Sequence, residues 1–290
     1  MANDDRTIAD RLQMELETLT RAERQLAHAI LRNYPVSGLG SITSVAETAG
    51  VSTPTVARMV QKLGFSGFPD FQASLRQELE ARISDPIVKR DLWVETAPHK
   101  HILNRFTEAV VSNIEQTLTR IDPHKFDMAV ELLADTERRL YIVGGRITRA
   151  LADYLFLHMQ VVRNRVTQVQ AISNAWPHYL LDIERGDVLV VFDVRRYENG
   201  TLRLAEMAHE KGVIIILLTD QWRSPVHKLA KLTFGSRIPV PSAWDSSIAI
   251  MLLIETLIAA VQERTWPDAK SRMEELEIMF DRTRFFRKFT

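Results

Sequence analysis

Several continuous apolar runs in the second half of the chain most strongly constrain its fold. The runs are rich in β-branched residues and lie at 139–145, 188–194 and 213–220, with weaker ones at 165–169 and 232–236. Helical patterns separate them. Strands that are apolar on both faces and alternate with helices are typical of a parallel sheet covered by helices. We therefore predict an α/β domain with a central parallel sheet over residues 100–290, ending in a C-terminal helix.

The first third of the chain has helical periodicity instead. Apolar residues at one-face spacing after Thr20, Ser41 and Ser52 predict three helices, each with a hydroxyl residue at its N-cap. The second helix is short and ends at Gly50, which can take the left-handed conformation. Two short helices joined by a tight glycine turn and preceded by a supporting helix match the helix-turn-helix layout. We predict an all-α domain over residues 1–83.

The outward face of the third helix indicates what this domain binds. If Val56, Met59, Val60 and Leu63 point into the core, the opposite face carries hydroxyl, amide and basic groups but no carboxylate. Such groups suit base edges and phosphates in the major groove. The predicted contacts to double-stranded DNA are Ser52, Thr53, Thr55, Arg58, Gln61 and Lys62. The alternative is a solvated polar face, because the charges of residues 1–90 cancel and leave no basic footprint.

Charge and composition limit the binding sites and the cellular location that the chain can have. With 37 basic and 37 acidic residues the formal net charge is zero, so any anion-binding surface must be local. The absence of cysteine excludes disulfides and thiolate metal sites. The start of the chain lacks a signal-peptide pattern, and the most apolar segment, 247–261, is shorter than the roughly 20 residues that span a bilayer. We expect a cytoplasmic protein without a membrane contact or a cofactor.

The segment between the all-α domain and the α/β domain has the sequence features of a linker. Residues 84–99 carry two prolines and little periodicity. His99 and His101 flank Lys100 there, but zinc requires further ligands that the sequence does not offer nearby. We predict a linker over 84–99 and no metal site.

The residues that follow the strands predict the ligand of the α/β domain. In parallel sheets, ligands bind beyond the carboxyl ends of the strands, where loops lead into helix N-termini. Arginines that converge there favour a carboxylate or phosphate, which the guanidinium group binds at two points. The candidates are Gly144, Gly145, Arg146, Thr148, Arg195, Arg196, Tyr197, Gln221 and Ser224. The alternative is that these arginines form ion pairs with Glu198 or Asp193.

Both halves resemble one family. The stretch GVSTPTVARMVQKLGFSGFPDFQASL resembles the N-terminal domain of MurR/RpiR transcription regulators, with their Lys-Leu-Gly-Phe turn at 62–65 and Gly-Phe-x-x-Phe entry at 67–71. The second half is similar to the SIS domain, the sugar-phosphate-binding module of these regulators. The resemblance implies a transcription regulator that forms a homodimer or homotetramer. A two-fold protein in turn implies a palindromic operator.

The chain departs from the family pattern in its ligand loops. Residues 144–148 read GGRIT where the family has Gly-x-Gly-x-Ser, and residues 193–197 read DVRRY where the family has Ser-x-Ser-Gly-x-Thr. Lost hydroxyls and added arginines favour a ligand with more negative charge or a carboxylate, such as a sugar acid. The alternative is a sugar-phosphate isomerase on the same fold, with Asp193, Glu198 and His227 as acid and base candidates. Because these residues show no recognisable catalytic spacing, we expect a regulator and not an enzyme.

Overall fold

The computed structural model describes residues 7–83, 101–170 and 175–286. The chain forms two compact units, Met1–Asp85 and Pro86–Thr290. The linker predicted at 84–99, including His99, lies outside the described residues. Among the described residues, no helix is long and apolar enough to cross a bilayer, and no three potential metal ligands come together.

The first unit is a bundle of five α-helices. They are α1 (Ile8–Glu15), α2 (Arg21–Arg32), α3 (Ile42–Ala49), α4 (Thr53–Lys62) and α5 (Phe68–Ile83). The three predicted helices are confirmed as α2, α3 and α4. The Ser41 hydroxyl accepts a hydrogen bond from the Ser44 amide at 3.1 Å and caps α3. Gly50 has a φ of 64°, the left-handed conformation that ends α3 and turns the chain into α4.

A single apolar core fixes the orientation of α4 in this unit. Val56, Met59 and Val60 of α4 are fully buried and pack with Leu26 of α2 and Phe71 of α5. Full burial of one such side chain contributes roughly 1.5 to 3 kcal/mol. The opposite face of α4 is therefore held toward the solvent by its own core side chains.

The second unit is built on a five-stranded parallel sheet. Its strands are β1 (Leu140–Gly144), β2 (Val166–Gln168), β3 (Val188–Phe192), β4 (Ile214–Asp220) and β5 (Leu232–Ser236), in the order β2-β1-β3-β4-β5. Its helices are α6 (Ile102–Leu118), α7 (Pro123–Ala134), α8 (Arg149–Val162), α9 (Trp176–Asp182), α10 (Asn199–Glu210), α11 (Ile248–Arg264) and α12 (Trp266–Thr283). All five predicted strands are confirmed. Every residue of β1 and β3 is buried, as expected for a sheet covered on both faces.

The strand order places a topological switch point between β1 and β3. From β1 the chain passes through α8 to β2 on one side, whereas β3 lies on the other side of β1. Gly144 at the end of β1 is in register with Phe192 at the end of β3. Ligands of open α/β sheets bind beyond such adjacent strand ends. The loops after β1 and β3 therefore lie at the edge where sheets of this kind bind their ligands.

The long apolar segment at 247–261 forms the buried helix α11. Seven of its side chains are buried, among them Ile250, Leu253 and Leu257. Near the C-terminus, Phe285 and Phe286 pack against Phe280 with ring centroids 5.6 Å and 4.9 Å away, yet remain 71% and 60% exposed.

Candidate functional site

The exposed face of α4 carries most of the predicted DNA contacts. Arg58 and Gln61 are exposed, and neither side chain has a hydrogen bond or ion pair within the described part of the chain. Ser52 is exposed as well, and Thr53 is half-buried at the first turn of the helix. The helix thus presents a guanidinium and an amide to the solvent with their hydrogen-bonding groups unused.

Thr55 does not lie on this face, which corrects the prediction. The residue is only 6% exposed, and its hydroxyl oxygen is 2.9 Å from that of Ser52. The reason is helical geometry: Thr55 precedes the buried Met59 by four residues, so both lie on the same side of α4. The four-residue spacing from Thr55 to Met59 is visible in the sequence, but the polar side chain of Thr55 favours its placement on the exposed face.

Lys62 lies on the exposed side of α4 but has an intramolecular partner. Its Nζ is 2.7 Å from Oε2 of Glu23, a buried residue of α2. The same carboxylate oxygen accepts a hydrogen bond from the Thr20 amide at 2.8 Å and so caps α2. Burial acts to raise the pKa of Glu23, but the hydrogen bonds from Lys62 and Thr20 outweigh it and hold the pKa below its ordinary value. The ionised Glu23 therefore ties α4 to α2 and offsets one positive charge of the face.

At the switch point, Thr148 joins the ends of β1 and β3. Its hydroxyl accepts a hydrogen bond from the Gly145 amide and donates one to the Phe192 carbonyl, each at 2.8 Å. A Cβ atom on Gly144 would lie 2.5 Å from the carbonyl oxygen of Thr148. Only glycine allows β1 to approach the start of α8 this closely.

A carboxylate occupies the loop that was predicted to hold an anion. Oε1 of Glu198 accepts a hydrogen bond from the Arg146 amide at 2.7 Å, and the Glu198 amide donates one to Oδ1 of Asp193 at 3.3 Å. We call Gly145, Arg146, Thr148, Asp193 and Glu198 the strand-end cluster. The sequence suggested Glu198 as a partner for an arginine side chain or as an acid or base candidate, and nothing in the sequence indicated its bond to a backbone amide.

Arg195 has a different partner from any that the sequence suggested. Its Nη2 and Nε lie 2.8 Å and 3.2 Å from Oδ2 of Asp245, and its guanidinium group lies 4.9 Å from the ring centroid of Trp222. The Arg195 side chain is only 7% exposed. This arrangement corrects the prediction that Arg195 binds a ligand and also the alternative that it pairs with Glu198 or Asp193.

Asp220 is the centre of the network that positions this loop. Fully buried at the end of β4, it accepts hydrogen bonds from the Tyr197 hydroxyl at 2.7 Å, the Arg195 amide at 2.8 Å and the Trp222 amide at 2.9 Å. Burial raises its pKa, although these three donors act in the opposite direction. The Tyr197 hydroxyl, a predicted ligand contact, thus donates its hydrogen bond to Asp220 within the protein.

Asp193 and Ser224 form a second buried pair at the strand ends. The Ser224 hydroxyl donates to Oδ2 of Asp193, and the Ser224 amide donates to Oγ1 of Thr219 at 3.1 Å. Burial raises the pKa of Asp193 to about 6. Nearby, Oε1 of Gln221 accepts from the Ile238 amide at 3.3 Å, whereas its buried Nε2 has no partner among the described residues.

The remaining charged side chains at the switch point divide into exposed arginines and acid or base candidates that are bonded within the protein. The side chains of Arg146 and Arg196 are exposed and form no ion pair within residues 101–170 and 175–286. The acid and base candidates are all bonded within the protein. Glu198 accepts from the Arg146 amide, Asp193 accepts from the Glu198 amide and the Ser224 hydroxyl, and Nδ1 of His227 lies 3.0 Å from the Thr233 hydroxyl on β5. The exposed guanidinium groups thus come from the loops that follow β1 and β3, the first of them three residues before α8 begins.

Comparison with known proteins matches both units. The helix-turn-helix domain of the rpiR family matches residues 6–82, and the SIS domain matches residues 132–260. The chain is 24% identical to the transcriptional regulator HexR of Pseudomonas aeruginosa, covering 97% of this chain and 98% of that protein. It is 23% identical to RpiR of Escherichia coli over 87% of this chain and 84% of that protein.

Solved structures show the same fold. The sugar isomerase domain of the RpiR transcription factor from Sphaerobacter thermophilus covers 60% of this chain and 97% of its own, with 22% identity and a TM-score of 0.57. Vibrio vulnificus NanR in complex with ManNAc-6P covers 95% of this chain and 98% of its own, with 18% identity and a TM-score of 0.55. A helix-turn-helix unit followed by a SIS domain defines a class of bacterial transcription regulators. This chain belongs to the RpiR family of helix-turn-helix transcriptional regulators that carry a SIS domain.

Proposed function

We propose that the exposed face of α4 binds the major groove of double-stranded DNA. The observation that carries this proposal is the pair Arg58 and Gln61, exposed and without partners in the described residues on a helix whose other face is locked into the core. Arginine and glutamine are the side chains best suited to hydrogen-bond guanine and adenine edges. Ser52 and Thr53 at the helix start allow a close backbone approach, and Lys62 adds a charge beside the phosphates.

The strand-end cluster is the proposed effector site. The ligand is a small anionic metabolite, either a sugar phosphate, a sugar acid or a similar compound. Support comes from the exposed guanidinium groups of Arg146 and Arg196, the start of α8 and the buried, unpartnered Nε2 of Gln221. One protein of this fold, Vibrio vulnificus NanR, was solved in complex with ManNAc-6P.

The two sites are coupled through the assembly of the protein in this proposal. A ligand changes DNA affinity only if it binds two arrangements of the protein with different free energies. A homodimer or homotetramer in the cytoplasm, bound to a palindromic operator, provides such arrangements.

The test is a titration of labelled DNA from the region upstream of the gene, followed by fluorescence anisotropy. We expect salt-sensitive, sequence-dependent binding, and at least one compound among gluconate, ManNAc-6P and other sugar phosphates should shift the affinity. Arg32→Ala, which removes an exposed arginine at the end of α2, serves as the matched control for Arg58→Ala. A protein that ignores every duplex at low salt would refute the proposal.

A further inference from the structure

We propose that Glu198 determines the ligand specificity of the strand-end cluster. Its carboxylate holds the position on the Arg146 amide that a carboxylate of the ligand takes, and the ligand must displace it. The inference rests on the proposed function, because it concerns the same residues. It adds the chemical class of the ligand, a polyhydroxylated carboxylic acid, and the residue that competes with it.

The geometry shows a planar carboxylate already seated in the loop. Besides accepting the 2.7 Å hydrogen bond from the Arg146 amide, the group lies directly beside Gly145. A Cβ atom on Gly145 would lie 2.5 Å from Oε1, 2.7 Å from Cδ and 3.1 Å from Oε2 of Glu198. The space above Gly145 therefore fits a carboxylate and has no room for even a methyl group beside it.

Glu198 can leave this position without unfolding the loop. Its backbone is held separately, through the amide that donates to Asp193 at 3.3 Å, and α10 continues from there. The side chain is half-buried and has several rotatable bonds, so it can turn toward the solvent while the backbone stays in place. An incoming anion would then meet the free Arg146 amide at the start of α8, where the helix dipole favours negative charge.

The charge around the loop favours one negative charge over two. Asp193 is buried next to the Glu198 amide, and a like charge close to a carboxyl group is unfavourable. A carboxylate that replaces the Glu198 carboxylate leaves the charge at the amide unchanged, whereas a phosphate dianion adds to it. The exposed guanidinium groups of Arg146 and Arg196 remain available to the rest of the ligand.

The experiment compares Glu198→Gln with the wild type and with Glu206→Gln, the matched control at an exposed glutamate of α10, the helix that begins directly after Glu198. The readout is the amide resonance of Arg146 in the full-length protein labelled with ¹⁵N-arginine and assigned with Arg146→Lys. The probes are gluconate and glucose 6-phosphate. We expect Glu198→Gln to respond at about tenfold lower gluconate, because a neutral amide is a weaker competitor than a carboxylate. Glu206→Gln should match the wild type, and gluconate should act at lower concentration than glucose 6-phosphate.

A second variant tests the position of the ligand itself. Gly145→Ala places a methyl group where the carboxylate lies, so it should abolish the gluconate response both alone and combined with Glu198→Gln. Circular dichroism checks that the variant is folded. The inference is overturned if Glu198→Gln needs as much gluconate as the wild type or more, if folded Gly145→Ala responds normally, or if no variant responds.

The outcome is separable from that of the proposed function. If the Arg146 resonance follows the expected pattern but no compound alters DNA binding, the regulatory proposal fails and the assignment of Glu198 stands. If a metabolite alters DNA binding while the Arg146 resonance is unmoved, only the assignment of Glu198 fails.

Discussion

On α4, Arg58 and Gln61 are exposed and have no partner among the described residues, whereas at the strand ends Arg195 is 7% exposed and bound to Asp245. The difference follows from where each element leaves its polar groups. A helix on the surface buries one stripe and leaves the other in water, so its outward side chains stay free. Loops that converge on buried strand ends bring polar groups out of water, and these groups must pair with one another.

An arginine in a candidate site can thus have one of two roles, binding a partner or stabilising the fold. A free arginine is available to a partner, and its loss should weaken binding while leaving stability unchanged. A buried, paired arginine belongs to the scaffold, and disturbing its network should cost stability first.

The largest effect is expected at Asp220. Asp220→Ala leaves the Arg195 amide, the Tyr197 hydroxyl and the Trp222 amide without their acceptor, so we expect the free energy of unfolding to fall by about 3 to 5 kcal/mol. Trp176, Trp222, Trp244 and Trp266 lie in the described part of the second unit, and residues 1–85 contain no tryptophan, so urea unfolding followed by tryptophan fluorescence reports on the second unit. The control is Asp127→Ala, an exposed position on α7, with a change below about 0.5 kcal/mol. Equal effects of the two substitutions would contradict the network.

The next effect is a pH dependence from Asp193. Burial raises its pKa from 3.8 to about 6, so between these values the folded protein binds more protons than the unfolded chain. The free energy of unfolding of the second unit should therefore fall as the pH rises from about 4 to 6 and stay lower above that range. Asp193→Asn should reduce this loss of stability by roughly 2 to 3 kcal/mol. The buried Asp220, whose pKa is also raised, should cause the rest of the decrease in the free energy of unfolding.

The first unit supplies the control for that experiment. Burial also raises the pKa of Glu78 on α5 to about 6. Because the tryptophans lie outside this unit, Glu78→Gln should leave the fluorescence-detected pH dependence unchanged. If the free energy of unfolding falls just as much in Asp193→Asn, groups other than Asp193 cause the pH dependence.

Much of the fold and part of the candidate site could be predicted from the sequence. Strand and helix positions followed from periodicity, because burial of apolar residues is a local pattern repeated along each element. The free face of α4 followed for the same reason. Contacts between loops could not be predicted: Asp245 lies 50 residues after Arg195 and Glu198 lies 52 residues after Arg146. No local pattern specifies which carboxylate reaches which donor over that separation.

Arg58 provides the test for the exposed side chains of α4 that have no partner among the described residues. Arg58→Ala should weaken binding to the specific DNA sequence by about 1 to 3 kcal/mol and bind other sequences nearly as before, because a base contact is lost. Its free energy of unfolding should match that of the wild type, since the side chain has no partner within the described residues. Anisotropy titrations on specific and scrambled duplexes measure the first effect, and circular dichroism checks the second. Equal loss on both duplexes would make Arg58 a phosphate contact instead.

The smallest effect is expected at Lys62, which lies between the two classes. Its side chain is 44% exposed, yet its Nζ is 2.7 Å from the buried Glu23 carboxylate. Lys62→Ala should lower the free energy of unfolding of the first unit by about 0.5 kcal/mol, the size of a partly exposed ion pair. It should also weaken binding to every duplex equally and lower the slope of log affinity against log salt by about 1, as the loss of one phosphate contact does.

The two readouts for Lys62 decide which class it belongs to. Glu23 keeps its hydrogen bonds from Thr20 after the substitution, which is why the cost in stability stays small. The matched variant Lys62→Arg preserves the charge and should restore the salt slope. If Lys62→Ala changes stability but leaves the slope untouched, the Glu23 carboxylate fully neutralises this lysine, and the free surface of α4 ends at Gln61.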